Sequence, residues 1–157
     1  MNKNIVFCGF VSMVLFFSIM NGCTSKIKTI MSDTHLQEDR NRYVSQINQY
    51  IKGKEHVMVD SVFKNLKVLG GFPAENLVFA MEAWSRALGV SCGHCHDTHD
   101  FSLDTKEKKQ IARDMVIMGN SISSQLKSIN GLSERPRVNC YSCHRGELKP
   151  RLRAPEK

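Results

Sequence analysis

The sequence predicts a mostly α-helical protein built on two copies of one unit: an amphipathic helix, a loop and a Cys-x-x-Cys-His segment. Three observations carry this. Leu77, Met81, Trp84 and Leu88 recur at i, i+4, i+7 and i+11, one face of a helix, and Ile111, Met115, Met118 and Ile122 repeat that spacing. Each run is followed by a Cys-x-x-Cys-His segment, at Cys92, Cys95, His96 and at Cys140, Cys143, His144. A methionine holds the second position of both runs, Met81 and Met115. The second loop is longer than the first, so the repeat is imperfect.

Taken in order, the chain opens with Lys3 and an apolar run from Ile5 to Met20. That run is shorter than the roughly 20 residues a helix needs to cross a bilayer. Residues 1–22 therefore read as a signal peptide, with an uncleaved anchor as the alternative. Met20-Asn21-Gly22-Cys23 resembles a bacterial lipoprotein processing site, loosely, because Leu and then Ala or Ser are usual where Met20 and Asn21 stand. Processing there makes Cys23 an acylated N-terminus, and two or more acyl chains hold a protein stably on a membrane. Ordinary cleavage and a soluble product is the other outcome.

Residues 23–58 read as a polar tether followed by an N-terminal helix. Thr34 with Gln37 fits a capping box, Leu36, Tyr43, Ile47 and Tyr50 follow helical spacing, and Gly53 can end the helix. Val62 to Leu69 is apolar but too short for its period to separate helix from strand. Pro73 suits the first position of the next helix and Gly89 its C′ position. The third helix is expected to start near Asp104, with Glu107 three residues on. Asn130 to Arg137 is turn-rich. The basic, proline-containing tail, residues 151–157, is expected to lack order.

The cysteine count closes on this reading. Cys8 leaves with the signal, Cys23 takes lipid, and the remaining four all lie in the two motifs. None is left for a structural disulfide, although an exported chain would permit one. Formal charge is +7, from 22 Lys and Arg against 15 Asp and Glu. In an exported chain this reads as a solvated surface first and as docking potential for an acidic partner second, rather than as a nucleic-acid interface.

Cys-x-x-Cys-His is suited to covalent haem. Cysteines at i and i+3 of a helical turn can form thioethers to the two vinyl groups of one porphyrin, and the histidine at i+4 lies on the same face, within reach of the iron. Four thiolates from two Cys-x-x-Cys pairs could instead hold zinc. That reading gives no role to a histidine after each pair, and a thioredoxin-like redox pair would need a βαβ context that is absent. The motifs therefore imply two c-type haems, bound through Cys92 and Cys95 and through Cys140 and Cys143, with His96 and His144 as iron ligands.

An electron-carrying haem has both axial positions filled by protein. Met81 is the candidate for the first iron and Met115 for the second, with Met118, one turn on, as the alternative. The competing reading is that these methionines fill the core. His94 is expected to be solvated, and His99 is too near His96 to reach across the ring. His35 and His56 could ligate only if the N-terminal segment folds back. Arg145 could pair with a propionate or stand exposed, and Trp84 and Tyr141 could pack on haem edges or simply on protein.

Several segments resemble one family. Phe63-Lys64-Asn65-Leu66-Lys67-Val68-Leu69, the helix carrying Met81, Ala112-Arg113-Asp114-Met115-Val116-Ile117-Met118, and Asn139-Cys140-Tyr141-Ser142-Cys143-His144-Arg145-Gly146 are similar to the cytochrome c subunit of photosynthetic reaction centres. The likeness covers about Val59 to Pro150. It implies a small multihaem cytochrome c domain, each haem held by a helix, a turn and the Cys-x-x-Cys-His segment, with the helix supplying an axial methionine. It also implies electron transfer on the periplasmic side of a bacterial membrane. The photosynthetic subunits are about twice as long and carry four haems, so a short dihaem carrier for redox proteins or a membrane complex is the expectation here.

A domain over 59–150 offers a small core, so covalent haems would act as staples. An electron carrier needs no substrate chemistry. A small peroxidase-like enzyme or a gas or redox sensor would need one iron with a labile position, and a sensor would also need an output domain. No Ser-His-Asp set, phosphate loop or nucleic-acid motif is present.

Overall fold

The computed structural model describes residues 33–153. The expected signal segment, Cys23, most of the tether and residues 154–157 lie outside them. Among the described residues there is no strand, only a single antiparallel bridge between Met58 and Pro73. The mostly α expectation holds. No helix of the described residues is long and apolar enough to cross a membrane.

Helix α1 covers residues 33–50. It ends where Gly53 adopts φ 78° and its N–H is taken by Glu55 Oε1 at 3.0 Å. The ambiguous stretch 62–69 is mostly neither helix nor strand. One helical turn, α2 (Val59–Val62), is followed by turns that pass through Asn65, in the left-handed region at φ 60°. Asparagine tolerates that region better than other residues with a Cβ.

Helix α3 (Ala74–Leu88) stands close to its expected limits. Pro73 is extended (φ −62°, ψ 151°) and precedes the first helical residue rather than occupying it. Gly89 closes the helix at φ 64°. Its N–H bonds to Arg86 O at 3.1 Å, and the Val90 N–H bonds to Ser85 O at 3.0 Å. This is the paired Schellman arrangement, and its left-handed residue favours glycine.

Ile51, Val62, Ala74 and Val78 form the core, with Val44, Ile47 and Phe63 packed around them. Ile51 and Val59 are the two large side chains fully withdrawn from water, at 1% and 0% exposure. Each stabilises the fold by about 1.5–3 kcal/mol. The core is small, and α1 supplies two of its residues, Val44 and Ile47, with Ile51 just past its end.

Helix α4 (Glu107–Leu126) starts three residues later than the Asp104 expected from sequence. The reason is that Asp104 is already engaged. Its carboxylate meets Arg113 Nη2 at 2.8 Å, Lys67 Nζ at 2.8 Å, Asn65 Nδ2 at 2.9 Å and Lys109 Nζ at 3.1 Å. Arg113 first, then Lys67, hold the Asp104 carboxyl well below the usual carboxylate range. Helix α4 makes no substantial packing contact with α2, α3 or the last helix. Its buried residues are Lys109 and Arg113, while Ile111, Met115, Ile117 and Met118 stand exposed.

The last helix, α5 (Cys140–His144), is one turn long and is fixed at its start by Asn139. Asn139 Oδ1 accepts from the Ser142 N–H at 3.1 Å, and the Asn139 N–H donates to Ser142 Oγ at 3.2 Å. This reciprocal cap satisfies two amide protons that a helix start leaves free. The described end of the tail, residues 151–153, is irregular, with Arg151 Nε bonded to Glu147 Oε1 at 2.8 Å.

Candidate functional site

The two motifs are built differently. In the first, Cys92–His94 form a 3₁₀ turn capped by Cys95, and the His96 N–H reaches Cys92 O at 3.2 Å. One tight turn therefore carries both cysteines and the histidine. In the second, the same residue types ride on the capped helix α5.

What the motifs share is the placement of the histidine. His96 Nδ1 lies 3.1 Å from Phe101 O, and His144 Nδ1 lies 3.0 Å from Glu147 O. A carbonyl only accepts, so each Nδ1 must carry the proton. Each Nε2 then keeps its lone pair, the state in which imidazole binds a metal. Burial, against the opposing bond to Phe101 O, holds the His96 imidazole below its ordinary pKa and so favours its neutral form.

The cysteines are free thiols. Cys92, Cys95 and Cys140 are half-buried, and burial pushes each thiol up; Cys143 is exposed. The motifs do not converge. Among the described residues, no group of three or more Cys, His, Asp or Glu could hold a metal ion. The arrangement is two separate turns rather than one four-thiolate site.

Covalent haem fits these residues. Each turn offers two thiols and one histidine with a free Nε2. Helix α4 adds an independent observation, because Ile111, Met115 and Met118 of its apolar stripe stand about half exposed, and a planar apolar ring is the kind of cover such a stripe suits. Met115 and Met118 on that stripe are exposed alike, at 47% and 48%. Met81 is half-buried on α3.

The other candidates are placed as follows. His94 is half-buried rather than solvated; burial first, then Lys108 and Lys106, holds its pKa down. His56 Nδ1 is 3.0 Å from Glu75 Oε1, and His35 and His99 are exposed. Arg145 is exposed, at φ 51°. Trp84 is half-buried and Tyr141 exposed.

Three supports of the site were not foreseen. Buried Arg40 of α1 donates to Val90 O at 3.1 Å, steadying the loop before Cys92. Tyr43 of α1 packs edge-on to Phe101 at 5.6 Å, and Phe101 lies 5.2 Å from the His96 ring. Finally, the end of α3 meets α5 at a glycine crossing. The Gly146 N–H donates to Ala87 O at 2.8 Å, and a Cβ on Gly89 would collide with Gly146 O and come within 2.9 Å of Gly146 C. The residue that ends the first unit's helix thus seats the second unit's motif. Both glycines are visible in the sequence, but their meeting is a tertiary fact.

Residues 20–153 match the model of the family described as "Photosynthetic reaction centre cytochrome C subunit". Among curated proteins, the photosynthetic reaction center cytochrome c subunit of Roseobacter denitrificans (strain ATCC 33942 / OCh 114) is 28% identical over 113 residues, which is 69% of this chain and 30% of that one. That of Rubrivivax gelatinosus (strain NBRC 100245 / IL144) is 30% identical over 94 residues, 59% of this chain and 25% of that one. The chain thus spans less than a third of the length of these relatives. The family match runs through both Cys-x-x-Cys-His turns and both methionine-bearing helices, and covers most of the sequence: this chain belongs to the photosynthetic reaction centre cytochrome c subunit family.

Proposed function

We propose that this protein is a dihaem c-type electron carrier. The observation that carries the reading is the matched pair of ligand histidines, each with Nδ1 spent on a carbonyl and Nε2 free. Cys92 and Cys95 would tether one haem, and Cys140 and Cys143 the other. His96 with Met81, and His144 with Met115 or alternatively Met118, would fill the axial positions. Haem supplies a one-electron iron couple when bound. The chain's part is to hold ligands in place, keep water from the iron and set the charge around it. No residue is required to act on a substrate, so the protein is a carrier rather than an enzyme.

Residues 59–150 would be the dihaem domain, braced by the helix before it. Residues 1–22 would be removed on export and Cys23 acylated, placing the carrier on the periplasmic side of a membrane. Its partners would be other redox proteins or a membrane complex. Replacing Cys23 by Ser is expected to move the protein from the membrane fraction to the soluble one. Unchanged membrane retention would sink the lipid anchor.

The test of the carrier reading is optical. Reduced holoprotein made from Thr24 onward is expected to show a low-spin c-type spectrum that carbon monoxide leaves unchanged, because both irons are six-coordinate. Met81→Ala should open the first haem to the gas. Rapid gas binding by the parent protein would instead favour a peroxidase-like enzyme or a sensor with one labile position.

A further inference from the structure

Helix α4 inverts the usual order of burial: it exposes isoleucines and methionines and buries a lysine and an arginine, at 8% and 7% exposure. The haem reading accounts for the exposed stripe and leaves the buried cations without a role.

Lys109 Nζ donates to three successive carbonyl oxygens, Phe101 at 3.0 Å, Ser102 at 3.0 Å and Leu103 at 2.8 Å. An ammonium has three protons, and all three are taken. The Phe101 oxygen is also the acceptor for His96 Nδ1. One carbonyl oxygen therefore stands between a buried positive charge and the ligand imidazole. Around it positive charge is in excess, since Lys109, Arg113 and Lys67 share the carboxylate of Asp104, and the exposed Asp100 carboxylate adds only one further negative charge near Lys109. The second motif has no counterpart. Among the described residues no cation donates to Glu147 O, and the neighbouring Arg151 pairs with the Glu147 side chain in the open.

Resting on the dihaem reading, we propose that Lys109 is a positioning residue for His96 that also raises the reduction potential of the haem His96 ligates. Two effects act with the same sign. A carbonyl that accepts from Nδ1–H strengthens imidazole as a donor to oxidised iron, and an ammonium on the same oxygen draws that density away. A buried positive charge also disfavours the more positive, oxidised iron in a medium of low dielectric. Asp104, at the edge of the cage, works against both. The first haem site is thereby set apart from the second by the protein's own charge.

The test is a potentiometric titration of the full dihaem holoprotein followed in the visible spectrum. Lys109→Gln keeps a donor but removes the charge, and is expected to lower one of the two waves and leave the other in place. Lys109→Arg should hold that wave near its parent position. Asp104→Asn should move the same wave upward. The opposite signs separate charge from structure, because a loosened loop would move the wave one way in both variants. Shifts of the same sign, equal shifts of both waves, or no shift in folded holoprotein would overturn the proposal. A parent protein with fewer than two waves would count against the dihaem reading itself, whereas two parent waves indifferent to Lys109 count against this inference alone.

Discussion

Replacing Cys140 and Cys143 together by Ser is expected to reduce covalent haem from two per chain to one. The haemochrome absorbance per chain should fall to about half, and the intact mass should drop by one haem. The effect should be confined to the second site, because the four cysteines form two separate turns and His96 keeps its own carbonyl partner. Stability should fall as well, since the apolar stripe of α4 would lose its cover. Mass spectrometry under denaturing conditions decides the matter: two haems retained, or both lost, would contradict independent attachment.

A second large effect is expected at Gly89. A Cβ there carries the cost of a left-handed residue, roughly 1–2 kcal/mol, and collides with the Gly146 carbonyl. Against a total stability of about 5–15 kcal/mol, Gly89→Ala should lower the melting temperature of the holoprotein by about 10 °C. Gly71→Ala is the control. Gly71 has φ 78° and open space where its Cβ would stand, so it carries the backbone cost without the collision. If the two variants melt together, the α3–α5 crossing contributes little. If Gly89→Ala falls well below Gly71→Ala and loses haem at Cys140 and Cys143, the crossing is what seats the second motif.

The parts of the fold legible beforehand were those governed by local chemistry. The span of α3 follows from its apolar spacing, and its end from a glycine that alone adopts the left-handed region cheaply. The later start of α4 was not legible, because a capping aspartate and an ion-paired aspartate look alike in one dimension. Asp104 is claimed by Lys67, Lys109 and Arg113, two of which lie beyond it in the chain. The stretch 62–69 stayed ambiguous for a related reason. Its apolar residues serve a turn that delivers Asn65 to Ser102 and Asp104, and no periodicity records that.

The sequence by itself determined the helical class, the two cysteine–histidine turns and the family, because motif spacing within one turn and apolar spacing along one helix are local and repeat in this chain. Only the tertiary structure decided how the turns are held. The carbonyls that fix the histidine tautomers, the glycine crossing that joins the two units and the buried lysine behind His96 all join or fix groups through folding. Their energies come from close approach and exclusion of water, which residue order alone does not encode.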